Sequence, residues 1–167
     1  MKSRIILSTF TLLIMGLLFA YGCKTIVGTE YDQDVIKNLI NKEWEIKGFI
    51  NSMGIEEDVG TQGILLYFNE NGKFWGRSYN FKDGKERGGP GSNFYNGKYV
   101  LLKNFRILFD SVTVTEVNAP SGSRFYDFAY NIRKINKFKI EGNDLWLYYD
   151  NPTKAFHFVA SSIKQDD

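Results

Sequence analysis

The stretch Ile64–Gly76, with the sequence ILLYFNENGKFWG, decides the fold class of this chain of 167 residues. Its first part, Ile64–Phe68, is an uninterrupted apolar run, and strand character resumes over Lys73–Tyr79 (KFWGRSY). Between the two runs lies Asn71-Gly72, and Asn-Gly is a strong signal for a tight turn between antiparallel strands. The stretch therefore predicts a β-hairpin.

Strand-like segments continue on both sides of this hairpin. On its N-terminal side, Trp44 and Ile46 alternate with charged residues. On its C-terminal side, apolar segments are separated by turn residues, over 93–102, 105–109, 112–117, 138–140, 145–149 and 155–159. About eight strands with close turns predict a mainly antiparallel β domain with a single core.

Two helices are predicted beside the strands. Apolar residues at helical spacing predict a short N-terminal helix over 34–41. A second apolar stripe predicts a helix near residues 122–136 that packs against the sheet. That stripe consists of Phe125, Phe128, Ala129, Ile132 and Ile135. The fold class is therefore mainly β, of the α+β type.

The first 22 residues are typical of an export signal. Lys2 and Arg4 form a basic start, and Ile5–Phe19 is an apolar run without a charge. As a helix that run would reach roughly 22 Å, which is short of the ~30 Å hydrocarbon core of a bilayer. Residues 1–22 are therefore predicted to be a signal peptide that is removed from the mature protein.

The single cysteine of the chain follows this signal directly. Ala20-Tyr21-Gly22-Cys23 resembles the bacterial lipobox, in which the cysteine is lipidated and becomes the new N-terminus. The alternative is an ordinary signal peptide with a stray cysteine beside the cleavage site. We predict lipidation at Cys23, a tether over residues 23–33 and, because Lys24 follows rather than Asp, an outer-membrane location in a bacterial envelope.

The charge balance limits the classes of partner. The full chain has 21 basic and 19 acidic residues, and loss of Lys2 and Arg4 with the signal leaves 19 of each. A zero balance gives no support for nucleic-acid binding or for electrostatic adhesion to anionic lipid. The expected partners are the membrane, through the N-terminal lipid, and an envelope protein.

The order of landmarks from Trp44 to Phe158 resembles the META domain family, which includes HslJ. Leu65–Gly76 is similar to the family's hairpin unit of strand, Asn or Asp, Gly, strand and Gly. Ser92–Tyr99 is similar to the signature Cys-Asn-x-(Phe/Tyr)-x-Gly-x-Tyr. Phe138–Leu147 is similar to Tyr-x-Ile-x-Gly-x-x-Leu-x-Leu.

This resemblance implies a small, curved, antiparallel β-barrel-like domain over residues 34–163, followed by a polar tail over 164–167. It implies no catalytic residue and no cofactor, and the family is associated with envelope stress and antibiotic tolerance. Ser92 stands where the family has a cysteine, so the family's disulfide is missing. The residues that match the family signature, with structural roles, are Trp44, Gly72, Gly76, Asn93, Gly97, Tyr99 and Gly142.

A glycine-rich segment predicts a long loop after the hairpin. Gly84–Gly91 (GKERGGPG) lacks the Gly-Lys-Ser/Thr ending of a phosphate-binding loop. The composition of the segment 81–91 favours a mobile loop, and because long loops often carry binding residues, the segment is also a candidate contact loop. The candidate contact residues are Tyr79, Phe81, Arg87 and Tyr95.

The residue types argue against several enzyme classes. One His and one Cys are too few for the commoner zinc sites, and no metal site is expected. His157 lies between Phe156 and Phe158, so an alternating strand would turn it away from the core as a surface or edge histidine. The acidic residues beside turns are expected to shape those turns; they are Asp110, Glu141, Asp144 and Asp150.

Two alternatives to a non-enzymatic META-type lipoprotein remain open. A Trp on the first strand followed by a Phe-x-x-x-Gly hairpin is also typical of a lipocalin-like barrel, which would bind a small apolar ligand. A hydrolase is the third hypothesis, and it requires ionisable side chains that converge in a pocket.

Overall fold

The computed structural model describes residues 33–81, 92–115, 119–150 and 153–161. The predicted signal peptide, Cys23, most of the glycine-rich loop with Arg87, and the polar tail lie outside these residues.

The described chain forms nine strands, two α-helices and one 3₁₀ turn. The helices are α1 (Gln33–Leu39) and α2 (Phe125–Asn131), and the 3₁₀ turn Ile132–Lys134 continues α2. The strands are β1 (Glu43–Ile50), β2 (Glu56–Glu57), β3 (Gln62–Phe68), β4 (Lys73–Asn80), β5 (Phe94–Leu102), β6 (Arg106–Val114), β7 (Lys137–Glu141), β8 (Asp144–Tyr149) and β9 (Lys154–Ala160).

All strand pairings within the described residues are antiparallel, and the strands follow the order β2-β1-β3-β4-β5-β6-β7-β8-β9. Strand β1 also pairs with β9, from Trp44 opposite Ala160 to Ile50 opposite Ala155. The series of strands therefore returns on itself, and the predicted curved, mainly antiparallel β domain is confirmed. The weakest junction is β6–β7, where Arg106 opposite Lys137 is the one pairing in the described residues.

The alternating strand directions define two ends of the molecule. The α1 end holds the start of β1, the β5–β6 turn and the β7–β8 turn. The α2 end holds the end of β1, strand β2, helix α2 and the β8–β9 turn.

The predicted β3–β4 hairpin is confirmed with its turn chemistry. The Asn69 side-chain oxygen accepts from the Asn71 backbone N–H at 3.2 Å, and the Gly72 N–H donates to the Asn69 carbonyl at 3.1 Å. Gly72 has a φ of +77°, which lies in the left-handed region that glycine adopts readily. Strand β2 was not predicted, because its two residues are both exposed and charged.

Both predicted helices are present, and each is shorter than predicted. Helix α1 ends at Leu39, whose carbonyl accepts the Trp44 indole N–H at 2.9 Å. Helix α2 begins at Phe125, after the Ser123 hydroxyl accepts the Phe125 N–H at 3.1 Å. No helix in the described ranges is long and apolar enough to cross a membrane.

The space enclosed by the strands is filled by aromatic rings. Phe128 of α2 reaches the interior and lies 5.0 Å from Phe156 and 5.1 Å from Tyr95, measured between ring centroids. Phe74 lies 4.9 Å from Phe109. Edge-to-face pairs of this kind contribute about 0.5–1.5 kcal/mol each beyond their buried area. The fully buried rings of the core are Trp44, Phe49, Phe68, Phe74, Tyr95, Phe125, Phe128, Phe138, Phe156 and Phe158.

Candidate functional site: a polar cleft beside α2

Two of the family-signature residues bind backbone groups near the α1 end. Trp44 is fully buried and donates to the last carbonyl of α1. The Tyr99 hydroxyl donates to the Asn69 carbonyl at 2.7 Å, and burial raises the pKa of Tyr99 to about 12. These contacts tie α1 and the β3–β4 turn to the sheet, so both residues have structural positions.

The remaining signature residues lie at close contacts and turns. A Cβ on Gly76 would lie 2.1 Å from the Leu65 carbonyl oxygen and 2.3 Å from the Tyr95 side chain, whose hydroxyl donates to that carbonyl. The Asn93 N–H donates to the Ser78 hydroxyl at 2.9 Å. Gly97 faces Phe74 at a bulge in β5, and Gly142 has a φ of +60° in the β7–β8 turn.

Two candidate residues of the predicted contact loop are buried in the structure. Tyr79 and Tyr95 are both buried, with 2% and 1% of their surface exposed. The Tyr79 hydroxyl bonds to the Glu45 carboxylate, and burial together with this carboxylate raises the pKa of Tyr79. Phe81 is half exposed, and Arg87 lies outside the described residues. A role for the loop in binding stays a prediction.

His157 corrects the expectation of a surface histidine. It does point away from the core, but only 4% of it is exposed. Its ring stacks on Trp146, with centroids 4.7 Å apart and planes 10° apart. Its Nδ1 lies 2.9 Å from a Glu56 oxygen, and its Nε2 lies 2.7 Å from an Asp144 oxygen. The expectation was wrong because neighbouring strands cover the outer face at this point.

Gly48 makes the contact between Glu56 and His157 geometrically feasible. Gly48 lies opposite His157 in the β1–β9 pairing, and Glu56 reaches His157 across it. A Cβ at position 48 would lie 2.4 Å from Cγ of Glu56. The contact joins β2 to β9, and Asp144 extends it to β8, so this cluster connects strands that are distant in the chain.

Both ring nitrogens of His157 are engaged within this cluster. His157 lies beneath Trp146 and between the two carboxylates, so its ring nitrogens are occupied by protein groups. In addition, the described residues include no group of three or more His, Cys, Asp or Glu side chains that could hold a metal ion. Asp144 lies beside a turn, as expected, and it also positions His157 through its contact with Nε2.

A polar cleft of about 450 Å³ lies at the α2 end. One wall is the polar face of α2 and its 3₁₀ turn, and the other wall is the β8–β9 turn. The floor includes Phe49 and Tyr149, and Tyr149 stacks on Phe156 with ring centroids 4.6 Å apart. The full lining is Phe49, Ile50, Asn51, Glu57, Arg124, Asp127, Tyr130, Asn131, Lys134, Tyr149, Asp150 and Lys154.

Arg124 organises one half of the cleft. Its guanidinium lies 4.0 Å from the centre of the Phe49 ring and donates to Glu57 at 3.0 Å and to Asp127 at 3.1 Å. The Asn51 amide also donates to Glu57, at 2.9 Å. These two donors lower the pKa of Glu57, with the Asn51 bond as the larger cause. This half of the cleft is therefore held in place by its own hydrogen bonds.

The other half leaves groups available to a ligand. The Lys134 ammonium lies 4.1 Å from the centre of the Tyr130 ring and has no carboxylate partner among the described residues. Tyr130 is 70% exposed. Burial and the Asp150 charge raise the pKa of Tyr149, so its hydroxyl stays a neutral donor. The arrangement suits a polar ligand, with an acceptor for Lys134 and a flat group for Tyr130.

This cleft was missed from the sequence. The signal that was present is the polar face of the second predicted helix, where Arg124, Asp127, Asn131 and Lys134 recur at helical spacing. An exposed polar face is also what an ordinary surface helix shows. Only the position of the β8–β9 turn, which is distant in the chain, converts this face into the wall of a cleft.

Comparisons with known proteins bear on the fold alone. The chain matches no protein-family model, and no curated protein matches it. Among solved structures it is similar to a DUF4847 family protein from Bacteroides vulgatus ATCC 8482, with a TM-score of 0.51 and 12% sequence identity. The match covers 78% of this chain and 99% of that one. It supports the mainly β architecture described above.

Proposed function

We propose that this protein is a lipid-anchored, non-enzymatic protein of a bacterial envelope, related to the META family, whose domain binds a partner protein in the cleft beside α2. The binding role rests on one observation about the cleft. Lys134 and Tyr130 are available to a ligand there, next to Arg124, which is hydrogen-bonded to Glu57. The anchor is proposed from Cys23, the one cysteine in the sequence, directly after an export signal.

The charges of the cleft indicate what kind of segment it accepts. Three cationic and three anionic side chains line it, so its formal charge is balanced. Arg124 and Lys154 are paired with carboxylates of the cleft itself, whereas Lys134 is not. A polar partner segment that places one carboxylate or carbonyl at Lys134 matches this pattern better than a highly charged one.

A packed interior favours this role over the lipocalin-like alternative. A lipocalin-like protein holds its ligand inside the barrel, in space free of side chains. Here the corresponding positions carry rings in mutual contact, among them Phe68, Phe74 and Phe109. We therefore propose that binding takes place on the outside of the strands.

Site-specific photo-crosslinking in intact cells tests the cleft. A photoreactive phenylalanine replaces Tyr130 in one strain and Tyr126 in another. Both tyrosines are exposed residues of α2, at 70% and 47%, but Tyr126 is not part of the cleft lining. We expect a discrete crosslinked adduct from position 130 that is weakened by Lys134→Glu, and none from position 126. Equal yields at both positions would contradict the proposal.

A further inference from the structure

Four basic residues lie close together at the α1 end, around the β5–β6 turn and along β7. Lys103 follows β5, Arg106 begins β6, and both are exposed. The register places Lys137 of β7 directly opposite Arg106, although like charges across a pair of strands are unfavourable. Lys139 lies on the same face of β7 as Lys137, and the acid beside it is Glu141, at 2.7 Å.

An exposed aromatic ring lies among these cations. Phe105, in the β5–β6 turn, is 50% exposed. Its φ is +56°, and that of Asn104 is +62°. A bulky residue rarely occupies this left-handed region, in which glycine or asparagine is favoured. The ring does touch Phe138, with centroids 5.9 Å apart, but half of its surface remains in contact with solvent.

A groove of about 510 Å³ continues from Phe105 along β7. The surface of this groove is largely apolar, and Lys137 and Lys139 of β7 line it. The lining is Phe105, Lys137, Phe138, Lys139, Ile140, Glu141 and Tyr148. An exposed aromatic ring beside lysine and arginine side chains is the combination that binds the boundary between lipid headgroups and acyl chains.

The path of the chain brings this surface towards the predicted anchor. Helix α1 is the first described element, it packs against β7, and it leads into β1 at the α1 end. The residues that precede it, Cys23 included, therefore join the domain at this end. The cleft beside α2 lies at the other end.

We propose that the surface formed by Lys103, Phe105, Arg106, Lys137 and Lys139 docks on a bilayer that contains anionic phospholipid. Phe105 enters the interface between headgroups and acyl chains, and the four cations contact lipid phosphates. Docking in this orientation turns the cleft beside α2 away from the membrane. The inference shares with the proposed function only the idea that the protein works at a membrane, and it does not require the lipid at Cys23.

Vesicle binding by the mature chain carrying Cys23→Ala tests this surface without any anchor. The vesicles are phosphatidylcholine with or without phosphatidylglycerol, and sedimentation measures the partition coefficient. We expect binding to the anionic vesicles that weakens with added salt. Lys137→Glu/Lys139→Glu should lower it by at least about thirtyfold, since each basic residue contributes roughly fivefold at such a surface.

The control has the same change in net charge at other positions. Lys47→Glu/Lys98→Glu, at exposed residues outside both the proposed surface and the cleft, should retain binding close to that of the parent chain. Equal losses in the two double variants would overturn the proposal, as would equal binding to vesicles with and without phosphatidylglycerol. Absence of palmitate label at Cys23 in cells would count against the anchor, but it would not change the interpretation of the vesicle experiment.

The role of Phe105 is tested separately. Phe105→Asn suits the left-handed turn, so it should keep the fold while lowering the partition coefficient. Phe105→Cys in the Cys23→Ala chain accepts a single environment-sensitive fluorophore, because the chain has one native cysteine. Its emission should shift to the blue with anionic vesicles, whereas the same probe at Tyr126→Cys, at the α2 end, should not respond. A response at Tyr126→Cys alone would contradict the orientation.

Discussion

At the scale of single residues, Gly48 makes room for the side-chain contact by which β2 reaches β9. The Glu56 side chain occupies the space that any Cβ at position 48 would need. Glu56 uses that space to reach His157, which is 101 positions further along the chain. The absence of one side chain therefore allows a polar contact between β2 and β9.

The variant Gly48→Ala should lower the free energy of unfolding by about 1–3 kcal/mol, because Glu56 must leave its hydrogen bond with His157. Urea denaturation of the purified protein measures the change. The matched comparison is Glu56→Ala alone and in combination with Gly48→Ala. If the crowding of Glu56 is the cause, adding Gly48→Ala to Glu56→Ala should have little further effect. Fully additive losses would show that position 48 acts through something else.

For His157, the sequence pattern predicted the direction of the side chain but not its burial. Alternation along β9 correctly predicted that its ring points away from the core. The burial of the ring depends on Trp146, Glu56 and Asp144, which register and a bulge at Ile46–Gly48 bring together. Register between distant strands is set by the whole sheet, so no local pattern could have predicted these neighbours.

At the scale of elements, local signals were sufficient wherever one element determines its own conformation. Asn71-Gly72 predicted a hairpin, and the stripe from Phe125 to Ile135 predicted α2, because turn chemistry and helical spacing act within a few residues. Strand β2 has no such signal, since it exists through pairing with Phe49 and Ile50. The cleft wall likewise needs the β8–β9 turn opposite α2.

The hydrogen bond from the Tyr99 hydroxyl of β5 to the Asn69 carbonyl of the β3–β4 turn should make the free energy of unfolding depend on pH in the alkaline range. Burial raises the pKa of Tyr99 from its usual 10.0 to about 12. Between about pH 10 and 12 the Tyr99 hydroxyl therefore keeps its proton in the folded protein, whereas the same hydroxyl loses it in the unfolded chain. The contribution is fully present below about pH 10 and is lost as the pH rises through about 12.

Urea unfolding between about pH 8 and 11 measures this dependence, and Tyr99→Phe is the comparison. The variant should be less stable at about pH 8, by roughly 1 kcal/mol for the lost hydrogen bond to the Asn69 carbonyl. Above pH 10 its stability should fall less steeply than that of the wild type. Parallel pH profiles for the two proteins would exclude the buried phenol of Tyr99 as a source of the alkaline loss.

At the scale of the whole molecule, the distribution of charge matters more than its sum. The mature chain was predicted to carry equal numbers of basic and acidic residues, and the total gave no reason to expect contact with anionic lipid. The fold gathers Lys103, Arg106 and Lys137 around Phe105 at the α1 end. Composition does not contain this arrangement, since it arises from the register of β6 and β7.

The two ends of the molecule have different proposed roles. The chain enters the domain at the α1 end, and the polar cleft opens at the α2 end. A tether at Cys23 would therefore hold one end at the membrane and leave the other available to a partner. The central claim is the anchor, because the proposed location in the envelope depends on it.

Metabolic labelling with palmitate tests the anchor most directly. Cells that produce the wild-type chain or Cys23→Ala are labelled, and the protein is immunoprecipitated and examined for incorporated lipid. We predict label in the wild type, none in Cys23→Ala, and release of the variant from the membrane fraction at high salt. Wild-type protein of mature size without label would contradict the account.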